Sequence, residues 1–309
     1  MDQPRRIELI DVGPRDGLQN ETQILDVKTR VRFIELLVEA GVRRMEAVSF
    51  VNPKRVPQMA NAEEIMGSLP LNSDVTYIGL VLNRRGFDRA IDAGCKEINY
   101  ALVASDAFSK RNQGTSIEQA VEIYKDISLR AKSVNIRCSL TISTAFGCPF
   151  QGEVPQERVA ELVKKCADSE PCEIALADTI GCAVPNQVTS LFRTIMGIAP
   201  KSKFRAHFHN TRNTGLANCY AAIEAGVHAI DSSAGGIGGC PFAPKATGNV
   251  PSEDLIFMLH RMGIETGIDI EKMIFIGNWI GNKLGHDVPA MLGKAGIFPP
   301  KTLQTHTRL

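Results

Sequence analysis

"KFRAHFHNTRNTGLANCYAAIEAGVHAIDSSAGG", residues 203–236, carries one complete structural unit. Residues 203–210 form an apolar, β-rich run that reads as a strand. Residues 214–226 follow as a helical stretch ending at Gly226, a residue suited to the position just past a helix. Residues 228–236 return to a strand before a glycine cluster. Strand, helix and strand in that order argue a parallel sheet with helices outside it.

The same alternation extends in both directions. Further strands are read at 7–12, 44–50, 75–82, 97–104, 136–144 and 172–179, and helical patterns at 27–41, 116–133 and 155–169. Gly41 and Gly94 supply helix-ending signals like Gly226, and an eighth helix begins near Pro251-Ser252-Glu253-Asp254. Eight strand–helix units predict an α/β fold of the (β/α)8 TIM-barrel kind. An open doubly wound sheet is the competitor, but no phosphate-binding glycine fingerprint follows the first strand. From about Asp269 the pattern becomes additional C-terminal helices, including "MIFIGNWIGNKLG". The expectation is one domain over 1–309, with the barrel at about 7–263 and a helical appendix at about 269–309.

With 44% hydrophobic and 22% charged residues the chain has material for a sizeable core. A net charge of +1 gives no reason to expect nucleic acid or an anionic membrane as partner. The eight cysteines include no C-x-x-C pair and read as reduced, small apolar residues. The N-terminal "MDQPRR" reaches the first strand at once, and no apolar run is long enough for a bilayer, so a cytoplasmic protein is expected.

Catalytic groups of such barrels gather where the strands end. The first strand stops at Gly13-Pro14, which places Arg15 and Asp16 on the following turn. Neighbouring residues rarely face each other well, so Arg15 is expected to meet a ligand rather than Asp16. His207 and His209 are two apart at the end of the seventh strand and share a face. Alone, the H-x-H pattern is more often structural; at a catalytic rim it is a natural metal pair. Asp16 and the amide oxygen of Asn249 would complete a mixed nitrogen and oxygen set suited to Mg²⁺ or Mn²⁺, with Zn²⁺ also compatible. Glu46, inside an apolar strand, needs a partner, and Arg15 would serve either structurally or as the group it positions. Cys240 lies in the glycine-rich "GGIGGCPFAPKATGN", where it is either a small apolar residue or a thiol on a mobile lid. Asp178, closing the sixth strand, reads as a cap of the next helix or, less readily, as a group supporting the site.

"VGPRDGLQNE", "EAVSFVNPKRVPQM", "ADTIG", "HFHNT", "LAN" and "DSSAGGIGGCPFAPKATGNVPSEDL" together resemble the 3-hydroxy-3-methylglutaryl-CoA lyase family of metal-dependent TIM-barrel lyases. The resemblance implies cleavage of an acyl-CoA, most directly 3-hydroxy-3-methylglutaryl-CoA, to acetyl-CoA and acetoacetate. It implies metal ligation by Asp16, His207, His209 and Asn249. It also implies carbonyl polarisation by Arg15 with support from Glu46 and a flexible thiol at Cys240; for the proton transfers that such a cleavage needs, His207 and a metal-bound hydroxide are the two candidates. Where the family usually reads H-x-H-D-T-Y-G, this chain has Asn210, Arg212 and Asn213, positions expected to bear on the acyl group. Relatives acting on another 3-hydroxyacyl-CoA, citramalyl-CoA among them, fit the same motifs, and the C-terminal helices offer a surface for a homodimer or larger homo-oligomer.

Overall fold

Eight strand–helix units can bury both faces of a parallel sheet by closing it into a barrel with the helices outside. The computed structural model, which describes residues 6–70, 74–112, 114–239 and 248–300, has that form. Its strands are β1 (Glu8–Asp11), β2 (Arg44–Ser49), β3 (Thr76–Val81), β4 (Glu97–Val103), β5 (Arg137–Ser143), β6 (Gly147–Cys148), β7 (Gly152–Glu153), β8 (Glu173–Asp178), β9 (Lys203–Phe208) and β10 (Ala229–Ser232). All but β6 and β7 pair in parallel, neighbour to neighbour, and β10 returns to β1 to close the barrel. β6 and β7 form a small antiparallel hairpin, which the sequence pattern did not reveal because neither strand exceeds two residues.

Helices α1 (Val27–Glu39), α2 (Ala62–Ser68), α3 (Arg84–Asp92), α4 (Asp106–Asn112), α5 (Ile117–Ser133), α6 (Gln156–Ala167), α7 (Pro185–Ile198), α8 (Gly215–Ala225) and α9 (Ser252–Arg261) cover the outside. Their starts carry the expected chemistry: Asp26 accepts the Thr29 N–H at 2.7 Å, and Ser116 with Gln119 forms a reciprocal capping box ahead of α5. The eighth strand is shorter than expected, because Gly235 and Gly236 turn the chain into a tight 3-10 turn after Ser233. The appendix consists of α10 (Ile270–Leu284), capped by Asp269, and α11 (Leu292–Ala295). It folds back on the barrel wall, where Trp279 meets Phe33 of α1 with ring centroids 6.2 Å apart. No helix among the described residues is long and apolar enough to cross a membrane.

Inside the barrel the period-two alternation of the strands stacks charges. At the strand beginnings, buried Arg44 bonds Glu97 and, at 2.8 and 2.9 Å, both carboxylate oxygens of Glu173. One inward position higher lie Glu46, Asn99, Arg205 and Asp231, all buried. Higher still, at the strand ends, come Arg15 and His207. Removing one partner from such a buried set costs about 3–5 kcal/mol, because its countercharge is left without water or ion.

Two further carboxyls tie down the turns above the strands. Asp11 accepts N–H bonds from Gly13 at 2.8 Å and Ala234 at 3.0 Å, joining the turn after β1 to the turn after β10. Glu253 at the start of α9 accepts the Gly235 N–H at 3.0 Å. Burial raises Asp11 to about 7 and Glu253 to about 8, outweighing the hydrogen bonds that favour their charged forms. Both therefore keep a proton in the folded protein at pH values where the unfolded chain, with carboxyls near about 4, has lost it. Stability should fall as pH rises from that range through about 8. Thermal melts between pH 5 and 9 should show the decline, flattened in Glu253→Gln; an equally steep decline in that variant would contradict the assignment.

Candidate functional site

Above the charged layers, the strand ends surround a cavity of about 640 Å³. Arg15, Asp16, Glu46, Asn99, His207, His209 and Asp231 line its polar part, while Leu80, Leu82, Val103 and Phe108 are among its apolar lining. Arg15 and Asp16 stand on a single wide helical turn, Gly13–Gly17, which bends the chain over the barrel mouth. His207 lies in β9, and His209 follows the strand in a bridge to Asn249. That bridge, with Val250 N–H donating to the Phe208 carbonyl at 3.2 Å, brings Asn249 beside the imidazoles from forty residues away in sequence. Gly238 is required close by: its φ is 115°, and a Cβ there would collide with the Asn249 amide and stand 3.1 Å from the Gly17 Cα.

The ligating atoms of Asp16, His207 and His209 all lie within 4.8 Å of one another. Asp16 Oδ2 is 3.7 Å from His209 Nε2 and 4.0 Å from His207 Nε2, and it accepts the Asn249 amide N–H at 2.9 Å. The Asn249 Oδ1 is buried with no hydrogen-bond partner. Two imidazoles, a carboxylate and an orphaned amide oxygen are a donor set that fits a divalent cation.

Arg15 is gripped from both sides. Its Nε donates to Glu46 Oε2 at 2.7 Å, its Nη2 bonds the same oxygen, and its Nη1 donates to Asp16 Oδ1 at 2.6 Å. The Glu46 contact is the partnership that the buried carboxylate required. The Asp16 contact corrects the sequence expectation that adjacent residues would not pair: on the tight turn both side chains project into the mouth and meet. Burial opposes the charge on Asp16, but Arg15 and the two imidazoles hold its carboxyl well below the ordinary range. Burial likewise opposes the charge on Glu46, and Arg15 and Arg205 overcome it. Burial pushes His209 down to about 4, leaving it neutral and available as a ligand at pH 7. His207 moves the other way: burial lowers it, but Asp231, 3.0 Å from Nδ1, raises it above its ordinary value.

Asp231 was not among the residues singled out from the sequence, although its inward place on β10 follows from period two. Arg205 was also missed, being one polar residue inside an apparent strand. Asp178 needs correcting, because it accepts the Cys182 and Ala183 N–H groups at 2.9 Å and braces the loop before α7, while Val184 holds the cap position. Asn210, Arg212 and Asn213 are not among the lining residues of the cavity. Asn210 Oδ1 accepts the Gly215 N–H at 3.0 Å, and Arg212 clamps the Ile180 and Gly181 carbonyls at 2.8 and 2.9 Å. The Asn210 and Arg212 side chains thus fasten loop backbone. Cys240 lies outside the described residues.

The HMGL-like family model matches residues 6–280. The (R)-citramalyl-CoA lyase of Chloroflexus aurantiacus is 42% identical, with 96% of this chain and 97% of that protein aligned. The hydroxymethylglutaryl-CoA lyase of Pseudomonas mevalonii is also 42% identical, over 90% of this chain and 93% of its own. Among solved structures, the hydroxymethylglutaryl-CoA lyase of Pseudomonas aeruginosa superposes with a TM-score of 0.91 at 37% identity, covering 96% of this chain and 98% of that one. An HMG-CoA lyase from Acinetobacter baumannii, in complex with coenzyme A and 3-methylmalate, gives 0.91 at 36% identity and 96% of each chain.

Replacing the carboxylate tests the donor set. Asp16→Asn is expected to weaken Mn²⁺ binding at pH 7 by about 100-fold or more in calorimetric titration, with the circular dichroism spectrum unchanged. Parent-like affinity in the variant would remove Asp16 from the set.

Proposed function

The chain belongs to the HMGL-like family and is a carbon–carbon lyase, and from that premise we propose that it cleaves 3-hydroxy-3-methylglutaryl-CoA to acetyl-CoA and acetoacetate with the help of a divalent metal. The observation that carries the proposal is the meeting of buried Arg15, His207 and His209 with the partly buried Asp16 in one cluster lining the rim cavity.

In this reaction the C2–C3 bond breaks, the tertiary alcohol becomes a ketone, and the thioester fragment leaves as an enolate that takes up a proton at carbon. Asp16, His207, His209 and Asn249 would hold Mg²⁺ or Mn²⁺. When bound, the metal supplies Lewis acidity that eases loss of the hydroxyl proton. Arg15 sets a fixed positive charge where the enolate oxygen develops. A guanidinium has five N–H donors, and the contacts to Glu46 and Asp16 use three, so two remain for the thioester oxygen. Glu46 keeps that group in place by gripping it from the barrel interior. Asp231 holds His207 from its Nδ1 side and turns Nε2 toward the site, so His207 can exchange a proton with the substrate oxygen only while Nε2 is not ligating the metal. Cys240, in the glycine-rich segment of the sequence, is in our reading the candidate thiol for the proton that the departing carbon takes up. The half-exposed Phe275 on α10 supports a homodimer contact on the appendix.

Citramalyl-CoA is the second reading, favoured by the 42% identity shared with a lyase of that name. The same bond cleavage on that thioester yields acetyl-CoA and pyruvate. The cavity's apolar residues, Leu80, Leu82, Val103 and Phe108, then become the places where acyl length is selected.

Mass spectrometry of products from both thioesters, with Mn²⁺ or Mg²⁺ and with EDTA, tests the proposal. The expected result is acetyl-CoA with acetoacetate, abolished by EDTA. Pyruvate from citramalyl-CoA alone would move the activity to the second reading, and no metal-dependent cleavage of either would overturn both.

A further inference from the structure

The site's two supporting carboxylates come from separate strands. Glu46 of β2 grips Arg15, and Asp231 of β10 orients His207. Both reach the same group below the cavity, the fully buried guanidinium of Arg205. Its Nε lies 3.4 Å from Asp231 Oδ1 and its Nη2 lies 3.7 Å from Glu46 Oε1. Nη2 also donates to Thr141 Oγ1 at 3.3 Å, and Nη1 lies 3.3 Å from Glu173 Oε1 in the layer beneath. Among the described residues, no other side chain makes ion-pair contact with both Glu46 and Asp231.

We propose that Arg205 is a positioning residue of the lyase site, its guanidinium setting the placement of Arg15 through Glu46 and of His207 through Asp231. The inference rests on the lyase reading and extends it one layer into the barrel. Neither carboxylate is held by hydrogen bonds alone. Asp231 Oδ1 has no hydrogen-bond partner, and Nε and Nη1 of Arg205 have none either, so the contacts are those of a central charge shared among three carboxylates. A planar fork can face three acceptors at once, which a lysine ammonium on a flexible stem cannot do in the same geometry. Without that charge Glu46 and Asp231 would share a dry interior with Glu173 and lack a common counterion, and each would turn toward another partner. Arg15 and His207 would follow them. Arg205 does not line the cavity, so thioester binding at the rim has no direct contact to lose.

The test compares Arg205→Met and Arg205→Lys with the parent, using thioester cleavage kinetics and Mn²⁺ affinity measured by EPR. Arg30→Met is the control for simple destabilisation: Arg30 is a buried arginine that donates to the Ala60 carbonyl from α1, away from the cavity. Arg205→Met is expected to lower kcat about 30- to 100-fold with KM within about threefold, and to weaken Mn²⁺ binding several-fold. Arg205→Lys keeps the charge but not the fork, and is expected to recover Mn²⁺ affinity while kcat stays about tenfold down. Arg30→Met should lower Tm and leave kcat within about twofold. Should Arg205→Met not fold, Arg205→Lys decides alone. Parent-like kcat in a folded Arg205 variant, or equal kcat losses in the Arg205 and Arg30 variants, would overturn the proposal. A parent protein that cleaves neither thioester would sink the lyase reading instead, and the Mn²⁺ affinities would still decide whether Arg205 places His207.

Discussion

A charge enclosed by a β-barrel has no water to turn to, and must find its countercharge within the barrel. That constraint organises this molecule. From the strand beginnings upward, Glu97 and Glu173 face Arg44, Glu173 faces Arg205, Arg205 faces Glu46 and Asp231, and these face Arg15 and His207. Each layer neutralises the next, so no single pair is independent of the rest. Continuous burial also makes the arrangement stiff, since long polar side chains that would wander in solvent have one set of partners.

The consequence appears at the open end. Arg15 is bonded to Glu46 from below and to Asp16 beside it, which leaves Asp16 turned toward the two imidazoles. Asn249 arrives from the opposite side by a backbone bridge to His209, and Gly238 gives its amide room. Asp11 clasps the turn after β1 to the turn after β10, which ties the segment that carries Arg15 and Asp16 to the end of β10. A site built this way holds its charges in place before a substrate arrives, which is the condition for electrostatic catalysis to cost little reorganisation.

The barrel was legible because each strand and helix announces its own period, and because glycines such as Gly226 end helices at positive φ. Arg15, Asp16, Glu46 and the histidine pair were legible because they interrupt or terminate apolar runs at strand ends. Arg205, Asp231 and Asn99 obey the same period-two rule, yet each looks like one polar residue in a strand. Only closure of the barrel makes Glu46 a neighbour of a residue 159 positions later, and local spacing carries no information about that. The pairing of Arg15 with Asp16 was missed for a related reason: adjacency argues against contact in extended chain, but not on a wide helical turn. Asn210 and Arg212 follow the histidines so directly that the sequence places them at the substrate, whereas their hydrogen bonds go to the loop backbone.

The central claim is that His207 and His209 bind a divalent cation together at this rim. Pulsed EPR of the protein loaded with one equivalent of Mn²⁺ reads directly bound nitrogen. The account predicts ¹⁴N couplings from two imidazoles, one of which disappears in His209→Ala. A Mn²⁺ signal with no nitrogen coupling would contradict it.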